Sequence, residues 1–194
     1  MGKKIMVLTG SPRKNGNTNT VAAWFVDGAK EAGADVEVID VSQLKSRHNG
    51  CIACMGCQKS EKYECTVDDE IRPVLAKIPA MDVLVFATPT YFFGPSAQLK
   101  SVMDRMYSLI KFDPAKGHYV HNLAHLKWGL ICTGGGDIEH SISLVEQTFK
   151  TVAGFIGSEL QSLLVPNASM YNDEIKHDAG LREKAIAFGR KLAE

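Results

Sequence analysis

The sequence predicts an α/β fold of the doubly wound kind, a five-stranded parallel sheet between two layers of helices (three-layer α/β/α). Three observations carry this expectation. Short apolar runs of β-forming residues recur along the chain, with stretches of helical period between them. The runs are apolar at successive positions, as in parallel strands covered on both faces. The first run leads through a polar, glycine-bearing loop into a helix and then a second run, a unit whose crossover is right-handed. With 194 residues, 45% of them hydrophobic, the chain can bury one such core, so a single domain over 1–194 is expected.

The first strand is expected at 5–8, and the loop at 8–20 reads L-T-G-S-P-R-K-N-G-N-T-N-T. It offers the hydroxyls of Ser11 and Thr18, the amides of Asn15 and Asn17, the guanidinium of Arg13, and two glycines. Such groups bind phosphate where free N–H groups at a helix N-terminus point at an anion. Neither G-x-x-x-x-G-K-[ST] nor G-x-G-x-x-G is present, so a terminal phosphate monoester suits the loop better than a triphosphate or a Rossmann-bound dinucleotide. The alternative is a polar surface loop that caps a helix. Val21, Ala22, Phe25, Val26 and Ala29 recur at helical spacing, with Gly33 as the stop, and 36–41 supplies the second strand.

Periodicity then lapses over 42–67, and cysteines take its place. Asp68 and Asp69 suit the start of a helix running to about Ile78, and 81–88 is a third strand. It enters a stiff loop, P-T-Y-F-F-G-P at 89–95, followed by a helix over 97–110 with Leu99, Val102, Met103, Met106 and Leu109 on its apolar side. The stretch 111–127 is polar and irregular; its His118, His121 and His125 could gather as metal ligands, but without a matched carboxylate or cysteine a solvated insertion is the better reading. A fourth strand at 128–132 ends in T-G-G-G-D, and a helix over 138–155, a strand at 159–165 and a helix over 176–192 complete the chain. Cys132 is expected in the core.

In doubly wound sheets, ligands lie beyond the carboxyl ends of the strands, at the switch point in strand order. The loops after strands one, three and four leave that edge and can line one pocket: a phosphate cradle, an aromatic and proline wall, and a glycine-rich floor. A flat phosphorylated cofactor fits, and FMN is the economical candidate. Cys51-x-x-Cys54-x-x-Cys57, with Cys65 after seven further residues, places four thiols where they could ligate a [4Fe-4S] cluster; zinc and free reduced thiols are the alternatives. Lys and Arg number 22 and Asp and Glu 22, so no charge surplus points to nucleic acid or an anionic membrane. The N-terminal apolar run is too short for a signal peptide, and a cytoplasmic location is expected.

The segments G-S-P-R-K-N-G-N-T at 10–18, T-P-T-Y-F-F-G-P-S-A-Q-L-K at 88–100 and T-G-G-G at 133–136 resemble the flavodoxin-like NAD(P)H-dependent FMN reductases, and the cysteine stretch is similar to their iron-sulfur flavoprotein branch. The resemblance covers nearly the whole chain. It implies a flavodoxin-like fold and an FMN-dependent oxidoreductase with NAD(P)H as reductant. Ser11, Arg13, Asn15, Asn17 and Thr18 would hold the phosphate, Pro89, Thr90, Tyr91, Phe92 and Gly94 would flank the ring and ribityl chain, and Thr133, Gly134, Gly135 and Gly136 would close the far side. Cys51, Cys54, Cys57 and Cys65 would carry the cluster, and no side chain need act as nucleophile, acid or base. A homodimer or homotetramer is expected, with a small-molecule acceptor or a redox protein such as a ferredoxin as partner. Two functions stay open: a reductase of quinone, free flavin or another small acceptor, and a non-catalytic electron carrier between ferredoxin and another acceptor.

Overall fold

The computed structural model describes residues 2–169 and 174–194. In chain order, β1 (Lys4–Thr9), α1 (Asn17–Glu31) and β2 (Asp35–Asp40) form the opening strand–helix–strand unit. The cysteine stretch contains one short helix, α2 (Gly56–Lys59), before α3 (Ile71–Lys77) and β3 (Val83–Tyr91). A second strand residue pair, β4 (Gly94–Pro95), folds back on β3, and α4 (Ala97–Arg105) follows. Then come β5 (Ile110–Asp113), β6 (His118–His121), β7 (Lys127–Thr133), α5 (Ser143–Phe155), β8 (Leu160–Val165), α6 (Glu174–His177) and α7 (Ala179–Ala193).

Five strands pair in parallel in the order β2-β1-β3-β7-β8. This is the flavodoxin-like order, with its switch point between β1 and β3. Because strand side chains alternate between faces, one sheet makes two cores. Met6, Leu8, Leu84, Phe86, Trp128 and Leu130 face α3, α4 and α5, and Phe86 lies 5.1 Å from the Trp128 ring and 4.9 Å from that of Phe149. Ile5, Val7, Val83, Val85 and Ile131 face α1 and α7. The expected strands thus stand where the apolar runs put them, to within a few residues.

The departures are local and have physical causes. The polar stretch 111–127 is not wholly irregular: β5 and β6 form an antiparallel hairpin, turned at Gly117 with a φ of 70°. The apolar and polar residues of β5, I-K-F-D, alternate as in a strand, while β6, H-Y-V-H, does not show that period. His118 and His121 belong to β6 while His125 Nε2 lies 3.1 Å from the Met81 carbonyl, and among the described residues no metal-binding group forms there. The helix expected over 97–110 is α-helical only to Arg105 and tightens into a 3₁₀ turn at Met106–Leu109. The one expected at 138–155 opens with a π-helical turn, Ile138–Ile142, where Asp137 accepts the His140 N–H. Asp178 accepts the Leu181 N–H and starts α7, which separates it from α6.

α1 and α7 touch backbone to backbone. A methyl group on Gly189 would stand 2.1 Å from the Phe25 carbonyl oxygen, and one on Gly28 would stand 2.0 Å from that of Ile186. Alanine is the better helix former by about 1 kcal/mol, yet here it has no room. Gly189→Ala should therefore destabilise the fold by about 1–3 kcal/mol in denaturant unfolding; an unchanged midpoint would contradict this packing.

Candidate functional site

The parallel order brings the loops after β1, β3, β7 and β8 to one edge, where they form a cleft of about 260 Å³ open to solvent. Ser11, Arg13, Gly16, Asn17 and Thr18 line it from the first loop, Pro89, Thr90 and Tyr91 from the second, and Thr133, Gly134 and Gly135 from the third. Ala168 adds a wall from the loop after β8. That loop is tied down by the Ala168 N–H on the Gly134 carbonyl (2.8 Å) and by the Asn17 side-chain amide on the Ser169 carbonyl (2.7 Å). Ser96 joins the first loop to α4: its hydroxyl donates to the Gly10 carbonyl at 2.6 Å and accepts the Leu99 N–H at 3.3 Å.

α1 begins inside this cleft. Its N-cap is Gly16, and no side chain caps it, whereas Ser96 caps α4 and Asp178 caps α7. The first intrahelical donor is the Thr20 N–H, on the Gly16 carbonyl, so the amides before it face the cleft as a helix N-terminus does. The Thr18 and Thr133 hydroxyls, both buried, meet at 2.7 Å across the cleft floor. Only one proton can lie between them, which leaves one hydroxyl hydrogen to donate elsewhere. A methyl group on Gly135 would meet nothing within 4 Å.

The remaining sequence-predicted residues stand apart. Asn15 is exposed on the outer turn of the first loop, and Gly136 is exposed beyond Gly135. Gly94 pairs with Tyr91 as a hairpin, with Phe92 and Phe93 as its tip. Both tip residues lie at positive φ, 47° and 66°, a conformation that favours Asn and Gly, and Phe92 is 97% exposed. Ala168 was not legible, because nothing in its local sequence marks a cleft wall.

The four cysteines converge elsewhere, beside the C-terminal end of α4. Cys51, Cys54, Cys57 and Cys65 line one small cavity, Cys57 and Cys65 buried, Cys51 and Cys54 exposed. Among the described residues, no three of His, Cys, Asp and Glu stand close enough to hold a single metal ion. The turn carrying the thiols is strained: Ala53 and Met55 have φ of 52° and 57° without being glycine. The Gly56 N–H and the Thr66 hydroxyl draw the Cys54 thiol below its usual pKa, while burial pushes Cys57 up, helped by the nearby Cys65 and Cys51. Cys132 is a core residue as expected, its thiol pushed up to about 11 by burial.

Two supports hold this loop. The β5–β6 hairpin braces α2: Gln58 Nε2 donates to the Ile110 carbonyl (2.9 Å), the Phe112 N–H donates to Gln58 Oε1 (3.1 Å), and the Lys111 ammonium reaches the Cys57 and Ser60 carbonyls. From the core side comes Arg105, with Nη1 2.7 Å from Asp69 Oδ2 and Nη2 3.2 Å from the Val67 carbonyl and 3.4 Å from Cys65 Sγ. Burial alone would raise the Asp69 carboxyl, but Arg105 and the N–H groups of Arg47 and Ile71 outweigh it and hold it at about 2. The sequence reading missed Arg105, whose one signal is a lone cation among the apolar positions Val102, Met106 and Leu109.

No helix among the described residues is long and apolar enough to cross a membrane. An iron-sulfur flavoprotein of Methanocaldococcus jannaschii is 34% identical over 102 residues, 53% of this chain and 51% of that protein. The chain thus spans about half the length of such relatives. The solved NAD(P)H:quinone oxidoreductase of Methanothermobacter marburgensis matches with a TM-score of 0.78 at 16% identity, over 99% of this chain and 100% of that one. An FMN-dependent NADH-azoreductase of Bacillus anthracis, solved with FMN, matches at 0.74 and 14% identity, over 99% and 100%. The family model for NADPH-dependent FMN reductase matches residues 3–176, and the chain belongs to that family.

Proposed function

We propose that the cleft binds FMN, that the thiol cavity holds a [4Fe-4S] cluster, and that the protein passes electrons from NAD(P)H to a small acceptor. The observation that carries the first part is the uncapped N-terminus of α1 opening into a cleft walled by Pro89, Thr90 and Tyr91. An anion there replaces the missing cap, and the chain's own groups suit a phosphate monoester: the α1 amides, the Ser11 hydroxyl, and the hydroxyl hydrogen left over from the Thr18–Thr133 pair. Arg13 lines the mouth, while Asn15 is a poorer ligand from its outer turn. Gly135 leaves open space where any side chain would intrude on a flat ring. Bound there, FMN supplies hydride acceptance and onward electron transfer. The protein's part is to fix its orientation.

The thiol cavity fits a cluster better than zinc. A single tetrahedral ion draws its ligands into one coordination sphere, which these thiols do not share, whereas a cluster takes each thiolate on a different iron. The buried Arg105 Nε and Ser108 Oγ on the wall of the cavity lack partners among the described residues, as donors facing an anionic occupant would. The likeness to iron-sulfur flavoproteins supports the same occupant. Exposure of Cys51 and Cys54 brings it within reach of a redox protein such as a ferredoxin, and this favours the electron-carrier function as the second reading. Tyr91, Phe92 and Phe93, exposed beside the cleft, favour a homodimer or homotetramer in which another subunit covers them; a monomer mass by light scattering would contradict that assembly.

Replacing Ser11 and Thr18 together with alanine should weaken FMN binding on the order of 100-fold, since each bond to a charged acceptor contributes about 1.5–3 kcal/mol. Unchanged FMN affinity, or FAD recovered from the native protein, would refute the phosphate assignment. Without oxygen, NADH or NADPH should bleach the flavin absorption within the time of a turnover; bleaching by reduced ferredoxin alone would transfer the conclusion to the carrier reading.

A further inference from the structure

Arg105 is a buried charge on the wall of the thiol cavity. Its side chain is 1% exposed, its partner Asp69 3%, and an apolar residue of similar volume would fill the same space without the desolvation that a buried pair incurs. The pair is aimed. Asp69 is itself pinned by the N–H groups of Arg47 (3.0 Å) and Ile71 (3.2 Å), and this leaves Nη2 of the guanidinium against Cys65 Sγ at 3.4 Å. Nε, buried and unpartnered among the described residues, belongs to the same side chain on the same cavity wall. Of the other cations near the thiols, Lys59 is exposed to screening water, and Lys111 is half-buried with its ammonium on the Cys57 and Ser60 carbonyls, not on a sulfur.

On the cluster reading above, we propose that Arg105, oriented by Asp69, is a positioning residue that holds Cys65 through a charge-assisted N–H···S bond and raises the reduction potential of the cluster. Reduction adds one negative charge to a cluster. A fixed guanidinium against one ligand sulfur, in surroundings of low dielectric, stabilises that added charge more than it stabilises the oxidised form. Asp69, on the far side of the guanidinium, offsets part of the effect. The two members of the pair therefore act on the potential with opposite signs, which a purely structural pair would not do.

The test is a redox titration of the anaerobically reconstituted full chain, following the cluster by electron paramagnetic resonance and the flavin by absorption. Arg105→Gln should shift the cluster to lower potential. Asp69→Asn, which leaves the guanidinium uncompensated, should shift it to higher potential, and FMN content should stay at the wild-type level in both. Shifts of the same sign, or none, overturn the assignment. If Arg105→Gln loses the cluster, Asp69→Asn decides alone: a rise supports the assignment, and no change or a fall overturns it. Loss of the cluster from both variants with FMN retained assigns the pair to scaffolding and also overturns it. Wild-type protein that takes up FMN but neither iron nor sulfide overturns the cluster reading itself, and this assignment with it.

Discussion

The position of β1 inside the parallel sheet, between β2 and β3, is the constraint from which the rest follows. Paired with β2 on one side and β3 on the other, it directs successive crossovers to opposite faces, and the loops leaving its carboxyl end and those of its neighbours part around a gap. The cleft occupies that gap. The cysteine stretch follows β2, and its thiols gather apart from the cleft, against the C-terminal end of α4. The two candidate redox sites share no lining residue.

The two sites are built differently because their backbones have different means of support. Cleft residues stand at the ends of strands and at the start of α1, so the core holds them and their polar groups remain available to a ligand. The cysteine loop has little regular structure to hold it. It depends on inserted supports, the Gln58 and Lys111 contacts to the β5–β6 hairpin outside and the Asp69–Arg105 pair inside. A hairpin that seems a polar insertion in sequence therefore has a structural purpose, bracing the turn that carries three of the four thiols.

Strands buried on both faces announce themselves as unbroken apolar runs, which is why the five parallel strands and their alternation with helices were legible. Their spatial order was legible only through the resemblance, because no local pattern encodes which strand neighbours which. The cleft was half legible. Ser11, Asn17, Thr18, Thr90 and Thr133 carry polar groups at strand ends, where a reader looks for ligands, whereas Ala168 is an unremarkable residue placed by tertiary contact. The β5–β6 hairpin was hidden because only Ile110 and Phe112 in β5 show a two-residue period, and Tyr119 and Val120 stand side by side in β6. Arg105 was overlooked because a helix face judged by its apolar members conceals the one cation among them.

The central claim is that one short chain holds both a flavin and an iron-sulfur cluster. Native mass spectrometry of protein prepared without oxygen weighs both occupants at once. The account predicts a mass for each subunit equal to the chain plus FMN plus four irons and four sulfides, with the iron and sulfide lost on exposure to air and the FMN retained. A subunit mass of chain plus FMN alone after anaerobic reconstitution with iron and sulfide would contradict it.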